Sequence, residues 1–270
     1  MERQVISSRQ NPLVKFVCGL ADKKQRNKEG LFRFDGVKLL GEAILSGIEI
    51  KYVIYRAPAS EAVEELIIQA ERDCQAKVVA VSESVFEKIS DEKSPEGVIT
   101  VARMPSIHKR RQDFNVGRTD KLLIAESLRD PGNLGTVIRS CYALGIDVLI
   151  ITDDCADLYN PRTVRAAMGA LFRQRTVSVP TAELCELIGE LREDGRRVYA
   201  TALSSSSVDI CQAEICLGDC FIIGNEGHGL SMTTVEACTA SVIIPMREDA
   251  ESLNAAAAAA ICIWETVKAK

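Results

Sequence analysis

In the second half of this chain, short runs of unbroken apolar residues alternate with helix-patterned segments. The runs are "KLLIAESL", "DVLIIT", "RTVSV", "RVYATAL", "CFII" and "SVIIPM". This alternation restricts the fold more than any other feature. A strand that is apolar at every position must be covered on both faces, and a strand–helix–strand rhythm is what a parallel sheet requires. The intervening segments fit that reading. "NLGTVIRSCYALG" places Leu134, Val137, Ile138, Cys141 and Leu144 on one helical face, with Asn133 placed to cap its start and Gly145 to end it. "NPRTVRAAMGALFR" opens with Asn160 as a cap and Pro161 in the first turn.

The first hundred residues follow a second, smaller α/β rhythm. A helix over "NPLVKFVCGLADKK", a strand "GLFRFDG", a helix "VKLLGEAILSG" and a strand "KYVIYR" are followed by "SEAVEELIIQAERD", "KVVAV", "ESVFEKI" and "GVITVA". Between the two rhythms, "RMPSIHKRRQDFNVGRTD" has no period and contains Pro105 and Gly117. The expected organisation is a domain at 1–102, a linker at 103–118 and a second domain at 119–270.

Composition enters through what it excludes. With 270 residues, 47% apolar and 26% charged, the chain is expected to fold as two domains with full cores. No apolar stretch approaches the length of a membrane span, and the opening "MERQVISSRQNPLVKF" lacks a secretory pattern. A cytoplasmic protein without membrane partners is expected. The ten cysteines include no C-x-x-C pair and only two histidines could serve as co-ligands. Reduced structural thiols, and no metal, are therefore expected. The net charge of −5 is unevenly spread: residues 1–40 hold nine cations and four anions, a local +5 on an acidic remainder. Lys23, Lys24, Arg26 and Lys28 lie in that segment and are candidate phosphate contacts; a solvated helix face accounts for the same charges.

Three loops follow strand ends in the second half, where open α/β sheets bind ligands. They are "ESLRDPGNLGTVIR" (126–139), "GNEGHGL" (224–230) and "IPMREDAESLNAAAAAA" (244–260). The first is neither G-x-G-x-x-G nor a P-loop, so a dinucleotide-binding dehydrogenase fits poorly. Each loop alone reads as turn glycines and helix caps. Their order and spacing together resemble the signature motifs of the SpoU/TrmH family of RNA ribose 2′-O-methyltransferases, within the SPOUT superfamily. The pattern is E-x-x-x-D-P-x-N-x-G-x-x-x-R, then G-x-E-x-x-G, then I-P-M followed by S-L-N. "NPRTVRAAMGALF" resembles the family's linking helix, and the first hundred residues resemble its N-terminal RNA-binding domain of ribosomal-protein-like fold.

The resemblance implies an α/β methyltransferase domain with a mostly parallel sheet and a deep trefoil knot, preceded by a smaller α/β RNA-binding domain. It implies S-adenosylmethionine as cofactor, a homodimer formed through the knotted domain, and a structured RNA substrate. 23S ribosomal RNA is expected; transfer RNA, or a non-catalytic ribosome-assembly role on the same fold, are the alternatives. Carried over residue by residue, Asn133, Arg139, Glu226, Ser252 and Asn254 become the catalytic positions, and Gly224, Ile244, Met246 and Leu253 the cofactor contacts. Arg139 matches the family's essential arginine. A guanidinium is almost never deprotonated, which favours an orienting and electrostatic role, with a perturbed base left open. The six alanines Ala255–Ala260 read either as an ordinary terminal helix or, by the resemblance, as a helix kept thin where it threads a loop beside a ligand and a second subunit.

Overall fold

The computed structural model describes residues 3–92, 94–113, 115–203, 207–247, 249–250 and 252–269. The chain divides into two compact units: Met1–Pro105 with Tyr159–Phe172, and Ser106–Leu158 with Arg173–Lys270.

The first unit contains α1 (Pro12–Gly19), α2 (Lys23–Glu29), β1 (Leu31–Asp35), α3 (Val37–Ser46), β2 (Ile50–Arg56), α4 (Glu61–Cys74), β3 (Lys77–Val81), α5 (Glu83–Ile89) and β4 (Val98–Arg103). Its four strands are ordered β1-β4-β2-β3, antiparallel except for the parallel pair β2–β3. One face is sealed by Val14, Val17, Leu20, Val85, Phe86 and Ile89 against Ile54, Ile99 and Val101. The helix expected over "NPLVKFVCGLADKK" is broken into α1 and α2. Asp22 accepts the Gln25 N–H at 3.0 Å and starts a new helix, while Arg26 Nη1 donates to the carbonyls of Leu20 at 2.9 Å and Ala21 at 2.6 Å. The freed carbonyls at the break are thereby satisfied.

The second unit begins with β5 (His108–Arg110), β6 (Leu122–Ala125), α6 (Pro131–Leu144) and β7 (Val148–Thr152). The chain then supplies α7 (Pro161–Ala167), which belongs to the first unit. There Tyr159 and Phe172 pack as tilted rings against Phe32 and Phe34, with ring centroids 4.9 Å apart for Phe32–Tyr159 and 5.2 Å for Phe34–Phe172. The second unit resumes with β8 (Thr176–Val179), α8 (Leu184–Glu193), β9 (Val198–Thr201), β10 (Val208–Asp209), β11 (Cys220–Ile223), α9 (Met232–Ala237), β12 (Ala240–Ile243) and α10 (Ala255–Lys268).

Among the described residues these strands form an eight-stranded, all-parallel sheet of order β10-β12-β9-β11-β6-β7-β8-β5. The expectation of a mostly parallel α/β sheet is borne out. The stretch 103–118, expected to be linker, contributes the edge strand β5. Hydropathy missed it because an edge strand meets water, and charged side chains such as Lys109 and Arg110 there discourage further pairing.

Chain order reverses between β6 and β11: from β6 the chain runs outward through β7 and β8, and it later returns from β9 to β11 beside β6. Such a switch point opens a crevice at the carboxyl ends of the strands. Here the two ends are in register, with Ala125 opposite Ile223. The loops after β6 and β11 therefore leave the sheet side by side.

Candidate active site

Local structure aims the side chains of these loops. Pro131 occupies the first turn of α6, where its fixed φ suits the helix and its missing N–H costs nothing. The cap is Asp130, whose Oδ1 accepts the Asn133 N–H at 2.8 Å. Asn133 was expected to be the cap. The structure corrects this: the proline moves the helix start three residues earlier, leaving Asn133 in the first turn with its amide free to reach across the crevice. Its Nδ2 donates to Glu226 Oε1 at 3.0 Å, and its Oδ1 accepts from Asn254 Nδ2 at 2.9 Å. Glu226 Oε1 also accepts the Asp130 N–H at 3.3 Å. Asn254 meanwhile caps α10, accepting from the N–H groups of Ala256 at 3.0 Å and Ala257 at 3.3 Å. One chain of hydrogen bonds thus joins residues 133, 226 and 254, one from each of the three loops.

The turn after β11 is built on a close approach. A Cβ on Gly224 would lie 2.5 Å from the Leu230 nitrogen and 2.6 Å from the Gly229 oxygen, so only glycine fits. Asn225 and Gly229 exchange two backbone hydrogen bonds of 3.0 Å, and Asn225 Oδ1 accepts the N–H groups of Gly227 and His228. This tight ring holds Glu226 out toward Asn133. Behind it, the buried Glu126 accepts the Ser231 N–H at 3.3 Å and ties the end of the turn to β6.

Arg139 lies on the exposed face of α6, with no hydrogen bond or ion pair among the described residues. It does not meet Glu226. Ser252 is exposed and also unengaged among the described residues. Ile244 and Met246 follow β12 half-buried, and Leu253 is 39% exposed just before Asn254. These three side chains are apolar, and Gly224 presents only backbone. No group of metal-binding side chains occurs among the described residues.

Of the candidate RNA contacts, Lys23, Lys24 and Lys28 are exposed on α2. Arg26 is not available. It is 4% exposed and its guanidinium is committed to the break between α1 and α2, so its charge fastens the fold.

Against this geometry the comparisons with known proteins agree. The family model described as SpoU rRNA Methylase family matches residues 120–264. The chain belongs to the SpoU rRNA methylase family. A second model, the MRM3-like substrate binding domain, matches residues 11–100. The SpoU relatives include the 23S rRNA (guanosine(2553)-2′-O)-methyltransferase RlmP of Bacillus subtilis, 31% identical with 96% of this chain and 97% of that protein covered. The 23S rRNA (uridine(2479)-2′-O)-methyltransferase of Streptomyces viridochromogenes is 28% identical, with 97% and 91% covered. Among solved SpoU-like structures, the S-adenosylmethionine-bound rRNA methyltransferase from Sinorhizobium meliloti superposes with a TM-score of 0.84 at 28% identity, covering 98% of this chain and 97% of that one. The resemblance read from the three motifs is borne out.

Several residues that shape this SpoU site carried no signal in the sequence. Asn225 is inside the glycine-dense loop but has no motif role. Ser127 has φ +54°, a left-handed conformation that nothing in "ESLRD" announces. Asp154, after β7, reaches that same loop from a different strand. Proximity to a strand end was the one available clue.

Proposed function

We propose that this protein is an S-adenosylmethionine-dependent RNA methyltransferase that methylates a ribose 2′-hydroxyl in 23S ribosomal RNA. The observation that carries the reading is the hydrogen-bonded chain Glu226–Asn133–Asn254 at the switch point, built from the three motifs of the family to which the chain belongs.

When bound, S-adenosylmethionine supplies a methyl group already activated by its sulfonium. The protein has to bring a weakly acidic hydroxyl into line and stabilise the charge that develops on its oxygen. Gly224, Ile244, Met246 and Leu253 hold the cofactor through backbone and apolar contacts. Asn133 and Asn254 fix the floor of the site. Glu226 uses Oε1 for both of its bonds within the network, which leaves Oε2 to accept from the ribose or from Arg139. Arg139, unpaired among the described residues, orients the target by engaging phosphate and ribose together through its planar guanidinium. Ser252 contacts the nucleotide from the loop before α10. The exposed Lys23, Lys24 and Lys28 of the first unit track the RNA backbone.

The finer architecture belongs to the same reading. The C-terminal part of the domain passes through a loop to make a deep trefoil knot, and α10 is alanine-rich because a second copy of the chain packs on it. An exposed Trp264 and Ala257 on α10 support that interface. In this reading the protein acts as a cytoplasmic homodimer. No helix among the described residues is long and apolar enough to cross a membrane.

The test is to incubate the full chain with isotopically labelled S-adenosylmethionine and total RNA lacking the modification, then map ribose methylation. A single labelled 2′-O-methyl site in 23S rRNA is expected. Label confined to transfer RNA would replace the substrate, and no label in any RNA would overturn the reading.

A further inference from the structure

The loop that leaves β6 passes through a strained residue. Ser127 sits at φ +54°, a region that a Cβ disfavours and that glycine enters freely. Three hydrogen bonds hold it there. Its N–H donates to Thr152 Oγ1 at 2.8 Å, its Oγ donates to Asp154 Oδ2 at 2.6 Å, and its carbonyl accepts from Asn225 Nδ2 at 2.8 Å. Thr152 in turn donates to Asp154 Oδ1 at 2.7 Å. A single carboxylate therefore fixes both the Ser127 side chain and the hydroxyl that receives the Ser127 N–H.

The consequence runs to the site. A residue's backbone conformation sets the direction of its carbonyl, and the Ser127 carbonyl is what Asn225 grips. The other end of the Asn225 amide accepts the N–H groups of Gly227 at 2.9 Å and His228 at 3.2 Å. The Asn225 side chain is thus a strut between the loop after β6 and the turn that carries Glu226. Asp154 touches none of Asn133, Arg139, Glu226 and Asn254, yet it sits at the root of the strut. Burial pushes the Asp154 carboxyl upward, but hydrogen bonds from Ser127, Thr152, Arg129 and Thr181 outweigh it and hold the group below the usual carboxylate range. The anion that the strut needs is therefore present at neutral pH.

We propose that Asp154 is a positioning residue for methyl transfer: it holds Ser127 in the left-handed conformation that aims its carbonyl at Asn225, and so fixes the turn bearing Glu226. The inference rests on the reading of the site given above. It differs from simple loop stabilisation in one respect. If the need is for the left-handed conformation itself, glycine at 127 should make Asp154 largely dispensable.

The experiment compares Asp154→Ala, Ser127→Gly and the double variant in the full chain. Backbone hydrogen exchange across 224–230 reads the strut, and single-turnover methylation of 23S rRNA reads the chemistry. Asp154→Ala should exchange faster at Gly227 and His228 and turn over about tenfold more slowly, equivalent to about 1.4 kcal/mol in the barrier. Ser127→Gly should stay close to the parent, and the double variant should recover most of both readouts. Should Asp154→Ala not fold, Asp154→Asn, which keeps one acceptor, takes its place with a smaller expected loss. Parent-like exchange and rate in the Asp154 variant would overturn the proposal, as would a double variant no better than Asp154→Ala. If the parent itself transfers no methyl group, the functional reading fails. The exchange data then still decide whether Asp154 acts through Ser127.

Discussion

The turn after β11 contains three glycines that alanine should affect very differently. At Gly224 an added Cβ would lie 2.5 Å from the Leu230 nitrogen and 2.6 Å from the Gly229 oxygen. An ordinary contact is about 3.5 Å, so backbone would have to move by about 1 Å, and backbone cannot rotate aside as a side chain can. Overpacking costs about 1–3 kcal/mol, and this position belongs at the upper end. At Gly229 nothing lies within 4 Å of the added Cβ, but φ is +68°, so strain of about 1 kcal/mol is expected. At Gly227 the nearest atom is Asn225 Oδ1 at 3.6 Å, an ordinary distance with ordinary φ, and the change should stay within about 0.5 kcal/mol. Because the chain divides into two compact units, a single melting temperature is a poor readout. Calorimetric affinity for S-adenosylmethionine and local hydrogen exchange are better ones. Gly224→Ala should weaken cofactor binding by roughly a hundredfold, Gly229→Ala by about fivefold, and Gly227→Ala by less than about threefold. If Gly227→Ala is as damaging as Gly224→Ala, or Gly224→Ala binds normally, the close approach at Gly224 does not shape the site.

Arg139→Ala should leave cofactor affinity intact while single-turnover methylation falls steeply, and Arg139→Lys should rescue little because a point charge cannot hold two groups as a planar fork does; near-normal rates in Arg139→Ala would remove it from the mechanism. Replacing Lys23, Lys24 and Lys28 by glutamine should flatten the salt dependence of RNA binding, by about 0.7–0.9 in logarithmic slope for each phosphate no longer neutralised. Arg26→Ala should instead destabilise the first unit by about 2 kcal/mol, since carbonyls at the break between α1 and α2 lose their partner, and weaker RNA binding in a fully stable Arg26→Ala protein would reverse that assignment. Ala259, fully buried, should not accept leucine without a drop in stability of about 1–3 kcal/mol. Exposed Ala257 should accept leucine in the folded monomer and impair only self-association, measured by sedimentation; unchanged association would argue against α10 as the subunit interface.

Much of this protein was legible in the sequence because the signals were local. Unbroken apolar runs gave away the buried parallel strands, since a strand covered on both faces has no polar alternation. The three motifs identified the family, because Asp130, Pro131, Asn133, Gly224, Glu226 and Asn254 act within a few residues of a strand end or helix start. A polar cap before the alanine run was also local, though Ser252 and Asn254 both fitted until the structure gave the role to Asn254. Tertiary structure decided what required two distant segments to meet. Asn133 became a bridge to Glu226 and Asn254 only because Asp130 took the capping role and three loops converge at one switch point. Arg26 looked like an RNA-binding residue beside three lysines, and only packing showed its charge turned inward to Leu20 and Ala21. The helix α7 reads as part of the second rhythm, yet Tyr159 and Phe172 bury their rings against Phe32 and Phe34 of the first unit. The strain at Ser127, 27 residues before the carboxylate that holds it, has no local cause. Hydrogen bonds across that separation exist only once β6 and β7 lie side by side.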